Sequence, residues 1–306
     1  METCVTFTWM QLCNRLLQMT GNSLYADYME TAIYNALMAS LKADASQIAK
    51  YSPLEGWRHE GEEQCGMHIN CCNANGPRAF AMIPQFAYQV QDDCVRVNFY
   101  APSEAELVLP DKKPVRLKQT TDYPRTDQIE IEVDPAKETA FTIALRIPAW
   151  SKIAVVSVNG QPQDGVLQGA YLPVNRKWKK GDRITVKLDL RARLVERNQA
   201  QAIVRGPIVL ARDSRFGDGF VDEASVVVSK DGYVELTPVK APGFAWLAFT
   251  APMVLGTDLE SNRAPKQIHF CDFASAGNTW DKTQRYRVWL PKTLNVMHSP
   301  YRPYNQ

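Results

Sequence analysis

Two short motifs hold residue types that can bind a metal and attack carbon: Glu2-Thr3-Cys4 near the start, and Cys71-Cys72 farther along. One carboxylate and three thiolates make a four-coordinate donor set of the kind zinc accepts. Thiolates are soft ligands and select zinc over magnesium or calcium, which prefer oxygen shells. A thiolate is also the nucleophilic form of cysteine. The same residues have a plainer use, because cysteine is among the most buried types and often fills core space. Cys13 and Cys94 lie inside apolar patterns and read that way. Cys65, in a polar loop, and Cys271, beside Phe270, are open to either reading. Seven cysteines, five of them in the first 72 residues, do not make the even, dense framework of a small disulfide scaffold.

The elements that must position these side chains change character near residue 92. Before it the apolar spacing is helical. Val5, Trp9, Leu12, Leu16 and Met19 form one stripe on a helix ending at Gly21. Tyr25, Met29, Ile33, Leu37 and Leu41 form a second stripe after Asn22-Ser23. A loop with Pro53, Gly56, Gly61 and Gly66 follows, and Pro77 suits the first turn of a third helix kinked at Pro84. The cysteine pair then stands just before that helix. After Asp92 the period is two, as in Val95, Val97 and Phe99, in Ile129, Ile131 and Val133, in Phe141 to Ile147 and in Ile184 to Leu190. Asn159-Gly160 and Gly181-Asp182 are turn signals between such runs, and the pattern predicts an antiparallel β-sandwich. From about Ser214 the sequence is less regular, with one more strand expected at Tyr286, Val288 and Leu290.

A chain of 306 residues has room for more than one core, and 45% apolar with 22% charged residues is ordinary globular composition. The formal net charge of +2 gives no argument for nucleic acid or an anionic membrane. The basic run from Lys177 to Lys180 reads as a solvated hairpin end. No stretch approaches the roughly twenty apolar residues of a membrane span, and Glu2 stands where a signal peptide would be basic. Three amphipathic helices enclose little core alone. They read as the tail of a larger, truncated helical domain, with an exposed apolar face that favours self-association.

Glu-Thr-Cys opening one helix, followed by Cys-Cys before another, resembles glycoside hydrolase family 127, the β-L-arabinofuranosidase family. Ser52-Pro53-Leu54-Glu55, Arg78 and the run Ala202-Ile203-Val204-Arg205-Gly206-Pro207 are similar to that family too. The resemblance implies an α+β multidomain fold. Residues 1–92 would be the last helices of an (α/α)6 barrel, 93–213 a β-sandwich domain, and 214–306 a C-terminal β-rich region. It implies zinc held by Glu2, Cys4, Cys71 and Cys72, with Cys71 attacking the anomeric carbon of an arabinofuranoside in an oligosaccharide or glycan. Release of the sugar by water would proceed with retention. The family's general acid/base glutamate lies upstream of the Glu-x-Cys motif, outside these residues, so hydrolysis by this segment alone is expected to be impaired. The chain departs from the family's commoner Pro-Pro-Asn after the cysteine pair, having Asn73-Ala74-Asn75.

Other residues carry weaker signals. His68 is near enough to Cys71 in sequence to touch a metal, although a loop histidine is more often exposed. Trp57, Arg58 and His59 have the types that line a sugar subsite, while Trp57 suits a cap on the helical core equally well. Glu55, Glu60, Glu62 and Glu63 read as solvated loop charges, and His269 and His298 have no partner motif. A rival reading is a non-catalytic carbohydrate-binding or accessory β-sandwich protein that keeps a structural zinc.

Overall fold

Three helices come first. Helix α1 spans Thr3–Thr20 and ends at Gly21, whose φ of 66° is the left-handed conformation that caps helices. Helix α2 spans Leu24–Ala32 and continues through a π turn at Ile33–Leu37 and a 3-10 turn at Met38–Ser40. Helix α3 spans Cys71–Ala87. The computed structural model describes residues 1–64, 66–256 and 264–293, so Cys65 and His298 lie outside the described residues. Among these residues no helix is long and apolar enough to cross a membrane.

The second stripe behaves as its spacing predicts, with Met29, Ile33 and Leu37 buried. The first does not. Val5, Trp9, Leu12 and Met19 are exposed, Met19 by 81%, while Met10, Cys13 and Leu17 on another face enter the core with Ala79 and Phe86 of α3. Both sets have three- and four-residue steps, so helical period alone does not decide which face is covered. Helix α3 also starts at Cys71 rather than at Pro77. Asn70 accepts a hydrogen bond from the Cys72 N–H at 3.0 Å, and Asn73 accepts one from the Asn70 N–H at 2.9 Å. This reciprocal cap outweighs the proline signal. Pro77 then sits inside the helix, where its missing N–H leaves the Asn73 carbonyl without its helical partner.

From Tyr88 onward the chain is built of strands. One sheet has the order Ala170–Trp178, Thr139–Ile147, Cys94–Val97, Tyr88–Gln91. A second has the order Ser103–Leu109, Lys113–Thr121, Gln128–Pro135, Asp182–Leu188, Ala154–Val158, Gln161–Pro162. Val95, Ile143 and Leu145 of the first share one apolar cluster with Leu117, Ile131 and Val186 of the second. The pairings in these two sheets are antiparallel except one: Cys94–Val97 runs parallel to Thr139–Ile147, because three intervening strands belong to the other sheet. Asn159-Gly160 forms the expected tight turn, both residues having positive φ. Lys177 to Lys180 is no hairpin end, since it carries the chain from one sheet to the other.

A third sheet holds Ala192–Arg197, Ala200–Arg205 and Ile208–Asp213, later strands among them Ala248–Leu255 and Lys266–Asp272, and the early short strand Glu55–Gly56. The sheets change over near residue 190. Tyr286, Val288 and Leu290 are all buried, but Tyr286 and Leu290 belong to two short strands with different partners, Tyr286–Arg287 and Leu290–Pro291, and Val288 lies in the bend between them.

Candidate functional site

The first residues are fixed by a short antiparallel contact. Glu2 bridges to Tyr51, and the Thr3 N–H donates to the Lys50 carbonyl at 2.9 Å while the Thr3 hydroxyl donates to Ala49 at 2.7 Å. Residues 49–52 thus hold Glu2 and Cys4 at the start of α1. Helix α3 is brought alongside by the close approach of Gly76 to Ile48, where a Cβ would lie only 2.9 Å from Ile48 Cγ2. Its first residues, Cys71 and Cys72, then meet Cys4.

All four sequence-predicted ligands converge. Their donor atoms lie within 4.8 Å of one another. Cys4 Sγ is 3.0 Å from Cys71 Sγ and 3.2 Å from Cys72 Sγ, and Cys71 Sγ is 3.9 Å from Glu2 Oε1. These sulfurs are unbonded, yet closer than the ~3.8 Å edge that a zinc–sulfur length of about 2.3 Å gives in a tetrahedron. A small outward movement accommodates an ion, and one carboxylate with three thiols is a chemically suitable donor set. Cys72 is buried while Cys71 is exposed. Burial, with the Cys4 hydrogen bond, pushes the Cys72 thiol up to about 12. The hydrogen bond with Cys4, then partial burial, holds the Cys71 thiol above its ordinary range. Both thiols keep their protons at neutral pH unless a cation compensates the charge.

The helix start contributes less to these thiols than its position suggests. The Cys71 N–H donates to Gln64 Oε1 at 2.7 Å and the Cys72 N–H to Asn70, so both donors are already spent. Asn75, one turn on, donates from Nδ2 to Cys4 Sγ at 3.2 Å. Gln64 and Asn70 carry no motif of their own in the sequence, and Asn75 stands there only as part of Asn73-Ala74-Asn75. Asn70 was findable, because a cap residue followed three positions later by a side-chain acceptor marks a helix start.

The weaker candidates separate. His68 is exposed, pairs with Glu63 at 3.0 Å and is not among the converging ligands. Trp57 and His59 are exposed. Arg58 is fully buried, so it lines no open subsite. It donates to the carbonyls of Ala274 at 2.8 Å and Phe273 and to the Tyr286 hydroxyl at 3.3 Å, lying against the Phe273 and Tyr286 rings. With Glu55, whose carboxylate is 2.6 Å from Arg287, it pins the loop that carries Gln64 and Asn70 to the third sheet. Glu55 is therefore no free loop charge, whereas Glu62 and Glu63 are exposed as expected. His269 is held by Asp218 and stacked on Phe216. Cys13 and Cys271 are buried, and Cys94 is half-buried. Arg58→Leu is expected to cost about 3 kcal/mol, because three buried acceptors lose a charged donor. Urea unfolding reads this, and a loss below about 1 kcal/mol would refute the anchoring role.

This arrangement agrees with comparisons to known proteins. Residues 1–85 match the model of the GH127 β-L-arabinofuranosidase catalytic domain, and residues 94–190 match that of the GH127 middle domain. A non-reducing end β-L-arabinofuranosidase of Bifidobacterium longum subsp. longum is 26% identical over 235 residues, covering 68% of this chain and 34% of the relative. A crystal structure of a GH127 β-L-arabinofuranosidase from Geobacillus stearothermophilus T6 superposes with a TM-score of 0.78 at 23% identity, over 95% of this chain and 49% of that one. A solved chain described as a glycoside hydrolase gives a TM-score of 0.78 at 25% identity, over 95% and 52%. The chain thus spans about a third of the curated relative and about half of these solved chains. Matched by two of its domain models and sharing its fold, the chain belongs to glycoside hydrolase family 127.

Proposed function

We propose that this chain carries the zinc and nucleophile half of a retaining glycoside hydrolase of the β-L-arabinofuranosidase type. The observation that supports this best is the meeting of Glu2, Cys4, Cys71 and Cys72 with one of the three sulfurs, Cys71, facing solvent. Residues 1–92 would contribute the last helices of an (α/α)6 barrel. The two sheets sharing one core would form a β-sandwich up to about residue 190, followed by a second β-rich unit. The substrate would be an arabinofuranoside in an oligosaccharide or glycan.

When bound, zinc would keep the surrounding thiolates ionised at neutral pH. The residues then divide the work. Glu2, Cys4 and Cys72 hold the ligand set in place, while Cys71 Sγ attacks the anomeric carbon. The C–S bond forms as the glycosidic C–O bond breaks, and the departing oxygen takes a proton from an acid outside these residues. Water next attacks the same carbon while giving its proton back to that group, the C–S bond breaks to restore the thiolate, and two inversions give net retention. Splitting the displacement into two steps lowers each barrier. The nucleophile is a thiolate where most retaining glycosidases use a carboxylate.

The first step needs no acid when the leaving group is a stable anion. The zinc-loaded chain incubated with a nitrophenyl β-L-arabinofuranoside is therefore expected to gain one pentosyl unit on Cys71, located by peptide mass spectrometry. Cys71→Ser should abolish the adduct. A zinc-loaded, folded wild-type chain that forms none would sink the nucleophile assignment and leave a non-catalytic carbohydrate-binding role with a structural metal.

A further inference from the structure

Three thiols meet at this site, and chemistry alone does not choose which one reacts. Cys72 is excluded by complete burial, with Lys50 O at 3.8 Å beside its sulfur. Cys4 is half-buried, so burial does not exclude it. What distinguishes it is a hydrogen bond: Asn75 Nδ2 donates to Cys4 Sγ at 3.2 Å. The orientation of that amide is fixed from its other end. Arg78, three residues on and on the same helix face, donates from Nη1 to Asn75 Oδ1 at 3.4 Å. A guanidinium only donates, so the oxygen must face Arg78 and the NH2 must face the sulfur. Cys71 Sγ receives no such amide; among the described residues its side-chain partners are the other members of the cluster, Cys4, Cys72 and Glu2.

We propose that Asn75, locked by Arg78, is a positioning residue that withdraws electron density from the Cys4 sulfur and fixes it as a ligand, leaving Cys71 as the reactive thiolate. This rests on the reading of Cys71 as nucleophile and deepens it. An N–H···S bond to a thiolate stabilises the lone pair that would otherwise attack, and partners just outside a metal's ligand set tune it in this way. The helical spacing fits, because residues four apart share a face: Asn75 lies over Cys71 and reaches past it to α1.

The test is the ratio of alkylation at Cys4 and Cys71 by iodoacetamide, read by peptide mass spectrometry on zinc-loaded and zinc-stripped folded chain. Asn75→Leu keeps the size and removes the donor. It is expected to raise Cys4 labelling relative to Cys71 about tenfold, the value of one ordinary hydrogen bond. In cobalt-loaded protein it should also move the sulfur-to-cobalt charge-transfer absorption. Arg78→Met, which leaves Asn75 in place but frees the amide to flip, should shift both readouts in the same direction by less. A labelling ratio within about twofold of wild type in both variants, with the cobalt band unmoved, overturns the proposal. Should Asn75→Leu not fold, as judged by circular dichroism, Arg78→Met decides alone. A wild-type chain that takes up no zinc defeats the metal reading instead, and the ratio in metal-free protein still judges Asn75.

Discussion

Cys71→Ser and Cys72→Ser are each expected to reduce zinc from about one ion per chain to almost none, and to differ in what else they lose. A serine hydroxyl stays protonated near neutral pH and is a poor substitute for thiolate, so either change leaves an incomplete donor set. At Cys71 the new hydroxyl is exposed and meets water, and the fold should be affected only through the missing metal. At Cys72 the side chain is fully buried against the Lys50 carbonyl and Cys4, and a hydroxyl there must find a partner or cost about 1–3 kcal/mol. Metal analysis with thermal melts separates the two effects. Melting of Cys71→Ser should coincide with that of chelator-treated wild type, while Cys72→Ser should melt lower still. The pH dependence has a definite sign. In the metal-free site the Cys71 and Cys72 thiols sit above their ordinary range and hold their protons at neutral pH. Every ligating thiol must give up its proton on binding, these two included, so apparent affinity should rise by at least about a hundredfold per pH unit near neutrality and fall correspondingly in acid. Zinc retained unchanged in both variants would show that the cysteines only pack.

The convergence of Glu2, Cys4, Cys71 and Cys72 was legible because its signal is chemical identity, not position: a carboxylate and three sulfurs in two short motifs. What the sequence left obscure is how the motifs are held. Pro77 pointed to a helix start, and the Asn70–Asn73 cap placed the start at Cys71 instead, turning the cysteine pair from a loop feature into a first helical turn. Arg58 looked like a sugar contact because its type permits one. Its burial follows from Phe273, Ala274 and Tyr286, more than two hundred positions away, and no local pattern reports such partners. Helix α1 shows the same limit. Its two apolar faces have equal period, and the choice between them depends on where α2 and α3 pack. Strand alternation fared better from Val95 to Leu188, because those sheets bury one face each and the period therefore repeats the burial.

Arg146→Met is expected to be the most damaging single change outside the cysteine cluster. Arg146 is wholly buried on the strand Thr139–Ile147 and joins Asp27 and Glu30 of α2, the latter at 2.7 Å. It also donates from Nε to the Asn98 carbonyl at 2.5 Å. Glu30 is held in addition by the Tyr123 hydroxyl at 2.8 Å, and Asp27 by the Ala149 N–H at 2.9 Å. Methionine fills much of the same volume but leaves two carboxylates buried without their cation. Breaking a buried network from one side in this way costs about 3–5 kcal/mol, far more than the intact network contributes over apolar residues of similar shape. The consequence reaches the site because α2 is the partner against which α1 packs, and α1 begins with Glu2 and Cys4. Urea unfolding should show the loss in stability, and zinc affinity should fall although no ligand has been touched. A triple variant that also replaces Asp27 with Asn and Glu30 with Gln removes the stranded charges. It should recover much of the stability, since the cost lies in unpaired carboxylates and not in the absence of arginine. If the single and triple variants unfold alike, the network is not what ties α2 to the sheet, and the link from sheet to metal site runs through apolar packing alone.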